Sequence, residues 1–320
     1  MRTLITGGAG FIGSNLCQAL LDSGESLTVL DNFSSGFQRN VRNLRSRISV
    51  NVLRGDCKNR KDVKHALEDV GKVFHLAANP EVRLDLSDPS TSFRENVYAT
   101  HILLEELRGT DVDTIVYASS STVYGDARLL PTPENYGPLE PTSFYGASKL
   151  ASEGLVSAFC HTYGVTGVIL RLANIVGSAS GHGIIRDFLS QLRNNPEKLR
   201  IQGDGHQIKS YLHIDDCISG ILCSFKSSSK GLNVFNVGSA DQLDAKTIAG
   251  IVQSEAGFAS LPIESVGGTR DGRGWKGDVK NMLLDISKLR SKGWQPKYSS
   301  EEAVRIATRS ELSKELSPLP

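Results

Sequence analysis

The stretch Thr6-Gly7-Gly8-Ala9-Gly10-Phe11-Ile12-Gly13 constrains this chain more than any other. It follows the apolar pair Leu4-Ile5, which reads as a short buried strand. It opens onto Phe11, Ile12, Leu16, Ala19 and Leu20, which recur at helical spacing. A strand, a glycine turn and a helix N-terminus make a pyrophosphate site. Glycines admit close backbone approach, and unpaired N–H groups with the helix dipole favour negative charge. Glycine-rich turns occur in many folds, so an ordinary βαβ unit that binds nothing is the alternative. Against it, Ser26-Leu27-Thr28-Val29-Leu30 reads as a second strand ending in Asp31, eighteen residues after Gly13. A carboxylate there suits the two ribose hydroxyls of NAD and repels the 2′-phosphate of NADP. NAD is the expected cofactor.

With 36 basic and 35 acidic residues, nothing suggests a general attraction to nucleic acid or to a membrane surface. No apolar run approaches the roughly 18 residues of a membrane span. Met1 leads straight into the first strand, so no signal peptide is expected and a cytoplasmic location is. Cys17, Cys57, Cys160, Cys217 and Cys223 are scattered with no CxxC pair, which points to buried thiols rather than disulfides or a metal site. The length allows one large domain or two moderate ones.

After Asp31, the polar turn Asn32-Phe33-Ser34-Ser35-Gly36 would lie beside the adenosine half of the cofactor. Residues 48–53 read as a third strand leading to Asp56 and Cys57. Asp56 either accepts from an adenine amino group or caps the helix starting near Asn59. Val73-Phe74-His75-Leu76-Ala77-Ala78 reads as a fourth strand, on which His75 is a satisfied core histidine sooner than a catalytic one. Residues 89–107 read as one long helix carrying Asn96, with Val97, Leu103, Leu104 and Leu107 on its packed face. Thr114-Ile115-Val116-Tyr117-Ala118 is a fifth strand, and it runs into Ser119-Ser120-Ser121-Thr122. Open α/β sheets bind ligands outside such carboxyl ends. A loop at 131–141 precedes a helix opening at Phe144-Tyr145, and Val168-Ile169-Leu170-Arg171 is a sixth strand.

This alternation predicts an α/β fold, a Rossmann-type doubly wound parallel sheet over residues 1–176. From 177 to 320 the rhythm weakens. A Gly/Ser loop, helices at 184–193 and 244–255 (the second capped by Asp244), a tight turn around Gly203-Asp204-Gly205 and a last helix from Ser299 with a frayed end are expected. Together they form a smaller α/β lobe for the substrate, with residues 206–240 able to pack back on the first domain.

Tyr145 and Lys149 are four apart and share one helix face. A tyrosine with a pKa near ~10 is a poor base, and lowering it by roughly three units takes about 4 kcal/mol of differential stabilisation. A neighbouring ammonium and a positive nicotinamide ring supply that in a partly dry site. By itself such a pair is common and is usually a solvated helix face. Placed after the glycine fingerprint and a hydroxyl-rich strand end, Tyr145 reads as a general base. Lys149 is then in reach of the nicotinamide ribose, and Ser120 bonds the same substrate hydroxyl.

Gly7-x-x-Gly10-x-x-Gly13, Asp31-Asn32, Asp56, His75-Leu76-Ala77-Ala78, Asn96, Ser119-Ser120-Ser121-Thr122, Tyr145-x-x-x-Lys149 and Leu170-Arg171-x-x-Asn174 together resemble the extended short-chain dehydrogenase/reductase family. More narrowly, they resemble its UDP-glucose (UDP-galactose) 4-epimerases and their nucleotide-sugar relatives. The resemblance spans nearly the whole chain. It implies that a tyrosine takes the proton of the sugar 4-hydroxyl while C4 gives hydride to tightly held NAD. The 4-keto sugar then swings in the pocket and hydride returns to its opposite face, without net redox.

Carried over by motif, Tyr145 is the base, Ser120 the hydroxyl partner and Lys149 the electrostatic and ribose contact. The same resemblance gives the NAD site Gly7, Gly10, Phe11, Ile12, Gly13, Asp31, Asn32, Ser35, Gly36, Asp56, Cys57, Leu76, Ala77, Ala78, Asn96 and Ser119. Ser120, Ser121, Thr122 and Tyr145 fall to the sugar, Asn174, Lys209 and Arg273 to the diphosphate, Asp278 to the uridine ribose and Met282 to the sugar pocket. Lys209 stands where an arginine is usual, a point charge in place of a fork. Arg273 is alternatively a plain surface residue. In Asn79-Pro80-Glu81-Val82-Arg83, Pro80 stands where bacterial epimerases place a lysine against the cofactor phosphates, so weaker or different NAD retention is expected. Met282 replaces a bulky aromatic, which would admit an N-acetyl group. A homodimer through the helices at 89–107 and 145–163 is implied as well.

Dehydratases of this family carry Asp-Glu just after the catalytic hydroxyl, and the glucuronate decarboxylases a glutamate. Ser121-Thr122 stands there instead, which disfavours both. Epimerisation of UDP-glucuronate or another nucleotide sugar stays open. So does a catalytically silent NAD-binding sensor or scaffold, although such relatives lose the Tyr/Lys pair.

Overall fold

The computed structural model describes residues 1–42, 44, 47–82, 87–178 and 180–316; Arg83 and the chain end expected to fray, 317–320, lie outside them. In chain order, β1 (Arg2–Thr6), β2 (Leu27–Asp31), β3 (Val50–Arg54), β4 (Val70–His75), β5 (Thr114–Ser120) and β6 (Thr166–Leu172) are joined by the strand Leu232–Val237 in a seven-stranded sheet. Reading across the sheet from that last strand, the order is β6, β5, β4, β1, β2, β3. Neighbours pair in parallel, Ile5 lying opposite both Val29 and Phe74. This is the doubly wound Rossmann-type sheet expected. Successive strands move outward from β1 in opposite directions, and that reversal opens a crevice at the strands' carboxyl ends. All five residues of β2 are buried, as a parallel strand covered on both faces requires.

The chain divides into two compact units. The first comprises Met1–Val123, Phe144–Arg171 and Ile221–Phe235; the second comprises Tyr124–Ser143, Leu172–Gly220 and the chain from Asn236 onward. The first unit's core joins Leu4, Leu30, Val73, Leu103, Ile115 and Ile169. The second unit's core lies among the helices Ile184–Asn194, Ala245–Glu255 and Ser300–Leu316, around Phe188, Leu189, Ile248, Val252 and Val304. Asp244 caps its helix as expected, accepting from the Thr247 amide at 2.7 Å.

Several boundaries differ from the sequence reading. The helix Phe11–Asp22 buries Gly13, Leu16, Cys17, Leu20 and Leu21, while Phe11, Ile12 and Ala19 stay half-buried at its margin. The third strand begins at Val50, and Ile48 is fully exposed in the turn before it. β4 begins at Val70 and ends at His75, so Leu76, Ala77 and Ala78 have already left the sheet. The single helix expected at 89–107 is a short α-turn, Pro89–Ser92, a wider π-type stretch, Phe93–Tyr98, and the α-helix Ala99–Leu107. Such π-type turns are frequent at functional sites, and this one carries Asn96.

Candidate active site

Gly7 takes φ +70°, and a Cβ there would lie 2.7 Å from the Ala77 nitrogen. A Cβ on Gly13 would lie 2.2 Å from the Gly7 carbonyl oxygen. Only glycine lets the turn close on its helix in this way. The helix cap, Gly10, has no side chain to satisfy the first amides, Phe11, Ile12 and Gly13 among them. Asp31, 6% exposed, accepts from the Ala9 and Phe33 amides at 2.9 and 2.7 Å. Burial pushes its carboxyl above the ordinary range, and those two amides work against the shift. Each carboxylate oxygen keeps a lone pair for a ribose hydroxyl. The loop with exposed Ser35 doubles back, so that Phe37 donates to the Ala9 carbonyl at 3.1 Å and a Cβ on Gly36 would press on Ala9. A turn without side chains at an uncapped helix start, followed by a buried carboxylate, fits a dinucleotide pyrophosphate and ribose.

Asp56 does not cap the next helix. Asn59 does, accepting from the Lys61 amide at 3.0 Å. Asp56 instead receives Asn32 Nδ2 at 3.0 Å, the Lys58 amide at 2.8 Å and Lys58 Nζ at 3.0 Å. Burial alone would raise its carboxyl, but the Lys58 amide, Asn32 and the Lys58 ammonium hold it below the usual range. Lys58, which also pairs with Glu95 at 2.5 Å, was not singled out from sequence. Its partner in the chain, Glu95, is too distant for local pattern to reveal. Cys57 is buried and burial pushes its thiol up to about 12, so it offers no thiolate. All five cysteines are free.

At the end of β4, Leu76 donates to the Thr6 carbonyl at 3.2 Å and Ala77 to Thr6 Oγ1 at 3.3 Å, which brings both beside the glycine turn. His75 is the core histidine expected: Nδ1 meets Thr6 Oγ1 at 2.7 Å and Nε2 meets Thr100 Oγ1 at 3.0 Å. Burial, helped by the charge of Lys149, pushes its imidazole down to about 3. Asn96 is buried, accepting from the Asn79 amide at 2.8 Å and donating to Ser148 Oγ at 2.9 Å. It therefore ties the chain beyond β4 to the helix that carries Tyr145.

That helix, Phe144–Tyr163, begins one residue before half-buried Tyr145. Lys149, 3% exposed, donates to the Ala118 carbonyl at 2.8 Å, with Nζ 5.9 Å from the Tyr145 ring centre and 5.1 Å from that of Tyr117. Burial pushes its ammonium down to about 8, and the Glu153 carboxylate acts against that. At the end of β5, Ser120 Oγ accepts from the Thr122 amide at 3.2 Å and from Thr122 Oγ1 at 2.9 Å, which leaves its own proton to give. Ser119 and Ser121 are buried, and the Ser119 hydroxyl is turned inward to Glu153 rather than toward a ligand. Glu153 was missed from sequence, although its place four residues after Lys149 put it on the same helix face.

In the second unit the structure brings Lys209, Arg273, Asp278 and Met282 together. Lys209 Nζ donates to Asp278 Oδ1 at 2.5 Å and lies 5.4 Å from the Trp275 ring centre. Asp278 is 3% exposed. Arg273 is not a free surface residue. Its Nε donates to Asp271 at 2.6 Å, and its Nη1 to Asp126 at 2.9 Å and to the Asp278 carbonyl at 2.7 Å. Nη2 has no partner among the described residues. Met282 is buried and stands in register with Lys209 where the strands Asn281–Met282 and Ile208–Lys209 pair. Asn174 Nδ2 donates to the carbonyl of Ser210, the residue after Lys209, at 3.3 Å.

Residues 3–238 match the model of the NAD dependent epimerase/dehydratase family. The chain is 27% identical over 322 residues to a UDP-glucose 4-epimerase of Corynebacterium glutamicum, covering 95% of this chain and 93% of that one. A crystal structure of a UDP-galactose 4-epimerase is 40% identical, with a TM-score of 0.87 over 99% of this chain and 100% of that one. The UDP-glucuronic acid 4-epimerase of Bacillus cereus, solved with UDP-glucuronic acid and NAD, is 28% identical with a TM-score of 0.89 over the same shares. No described helix is long and apolar enough to cross a membrane. With its glycine turn, its buried Asp31 and a family match over most of its length, the chain belongs to the NAD dependent epimerase/dehydratase family, and NAD is its cofactor.

Proposed function

We propose that the protein is a UDP-hexose 4-epimerase that interconverts UDP-glucose and UDP-galactose, with Tyr145 as its base. One observation carries this reading: a buried Lys149 is anchored to Ala118, two residues before Ser120, with its charge facing the Tyr145 ring. Bound NAD supplies the acceptor and later the donor of the C4 hydride. Tyr145 takes the proton of the sugar 4-hydroxyl as that bond is oxidised and gives it back when the opposite face is reduced. Ser120 donates a hydrogen bond to the same oxygen while keeping its proton, and Lys149 favours the phenolate by charge. No carboxyl stands at 121 or 122, and both Thr122 donors are spent on Ser120, so these residues support epimerisation over loss of water.

In this reading the first unit holds NAD and the second holds the nucleotide. Lys209, Arg273 and Asn174 serve the diphosphate, and Asp278 the uridine ribose. Arg273 keeps Nη2 for a phosphate oxygen, while the Lys209–Asp278 pair must share its charge with the ligand. The flexible Met282 side chain gives room for an N-acetyl group, so turnover is expected on UDP-N-acetylgalactosamine as well as on UDP-galactose. Activity on UDP-galactose alone would refute that detail. A homodimer is supported by Phe93, Tyr98 and Tyr163, exposed on the helices expected to pair, and a cytoplasmic location by the free thiols.

The test is to incubate the purified protein with UDP-galactose, without added NAD, and follow UDP-glucose in a coupled assay. Conversion supports a 4-epimerase that retains NAD. If UDP-glucuronate alone is turned over, the likeness to the Bacillus cereus enzyme becomes the better guide. Inactivity on both sugars and on UDP-N-acetylglucosamine, even with NAD added, would point to a silent NAD-binding module.

A further inference from the structure

Arg171 and Glu153 place two formal charges inside the first unit, each 5% exposed. Arg171 Nε and Nη2 donate to Glu153 Oε1 and Oε2 at 3.0 and 2.8 Å, a two-pronged pair. Ser119 donates to the same Oε1. Taking both ions out of water costs several kcal/mol each, so such a pair adds little net stability over an apolar one of similar shape. Its position suggests another purpose. Glu153 lies one helical turn beyond Lys149 and two beyond Tyr145. Ser119 directly precedes Ser120 at the end of β5, and Arg171 belongs to the adjacent strand β6.

We propose that Glu153, held in place by Arg171, is a positioning residue for the proton-transfer pair. It ties the helix bearing Tyr145 and Lys149 to the strand end bearing Ser120, and it supplies the anion that keeps Lys149 an ammonium. This rests on Tyr145 and Lys149 being the pair that moves the proton. Lys149 has need of that anion, because burial disfavours its charge and Glu153 is the group acting in the other direction. Among the described residues, the other titratable groups facing Lys149 are Tyr145, Tyr117 and His75. Burial keeps Tyr117 and His75 neutral at pH 7, so Tyr145 alone among them can add negative charge. Without Glu153 the ammonium weakens, and the Tyr145 phenolate then forms only at higher pH.

Glu153→Gln alone would take from buried Arg171 the carboxylate that receives its Nε and Nη2, and it is expected to fold poorly. The test is therefore the double variant Glu153→Gln/Arg171→Met, with Ser119→Ala and Tyr145→Phe beside it. The double variant should fold and retain NAD. Its kcat on UDP-galactose should fall roughly tenfold with little change in KM, and the acidic limb of its kcat–pH profile should move up by about one pH unit. Ser119→Ala, which keeps the ion pair, should lower kcat by roughly threefold without moving the limb. A folded, NAD-loaded double variant with the wild-type profile would overturn the proposal and leave the pair to the fold alone. If the double variant does not fold, Ser119→Ala decides, since wild-type kcat there removes the tie to β5. Full activity in Tyr145→Phe would bring down the underlying reading together with the proposal. An inactive Tyr145→Phe beside a wild-type double variant would bring down the proposal only.

Discussion

Lys149 Nζ donates to the carbonyl of Ala118 at 2.8 Å, which fixes a buried ammonium on the strand that ends at Ser120. The charge beside Tyr145 is thus set before any ligand arrives, and its burial has a cost that can be measured.

Lys149→Met should lower kcat roughly a hundredfold and yet raise the stability of the NAD-free protein by about 1 kcal/mol at pH 7. The folded ammonium titrates at about 8 against 10.5 for the free side chain, so between those values the unfolded chain binds the additional proton. Wild-type stability should therefore gain on Lys149→Met as pH rises from 8 to 10.5. Urea unfolding of both proteins across that range checks the sign. A variant less stable than wild type at pH 7 would contradict it.

His75 gives the opposite end of the pH scale. Its folded imidazole is pushed down to about 3 from 6.5, so the unfolded chain takes up a proton first as pH falls through that window. The stabilisation is whole above pH 6.5 and is lost progressively toward pH 3, at up to about 1.4 kcal/mol per pH unit. His75→Gln, which can still meet Thr6 or Thr100, should keep kcat within about threefold of wild type and lose stability less steeply in acid. A large loss of kcat with unaltered NAD binding would assign His75 a catalytic role after all.

Much of this site could be read from the chain because its constraints are local. Gly13 is dictated by a backbone contact within one turn and Gly7 in part by its positive φ, and Tyr145 and Lys149 share one helix face. Strand limits were less legible. Gly71 and Lys72 carry no strand signal of their own but are enclosed in β4, whereas apolar Ile48 looked like strand and stands in solvent. The π-type turn at Asn96 was invisible because its apolar neighbours keep a helical rhythm on either side. The pairings of Lys209 with Asp278 and of Arg273 with Asp126 join residues far apart in sequence, which no spacing rule reaches.

Asp31 should govern both how tightly NAD is held and which dinucleotide is chosen. Asp31→Asn keeps an acceptor for one of the Ala9 and Phe33 amides but removes the charge that repels a 2′-phosphate. The variant should lose NAD on gel filtration and shift its NADP-to-NAD preference by roughly tenfold toward NADP, or about 1.4 kcal/mol. Fluorescence titration with both dinucleotides measures it. An unchanged ratio would mean that discrimination lies elsewhere, with Lys58 the next residue to examine.

In the proposed cycle the C4 hydrogen leaves as hydride and returns from NAD without exchange with water. UDP-galactose carrying deuterium at C4, incubated with the purified protein in ordinary water without added NAD, tests it by NMR of the product. The expected product is UDP-glucose with deuterium retained at C4. Product formed with the label lost to solvent would contradict hydride return and replace it with proton exchange at that carbon.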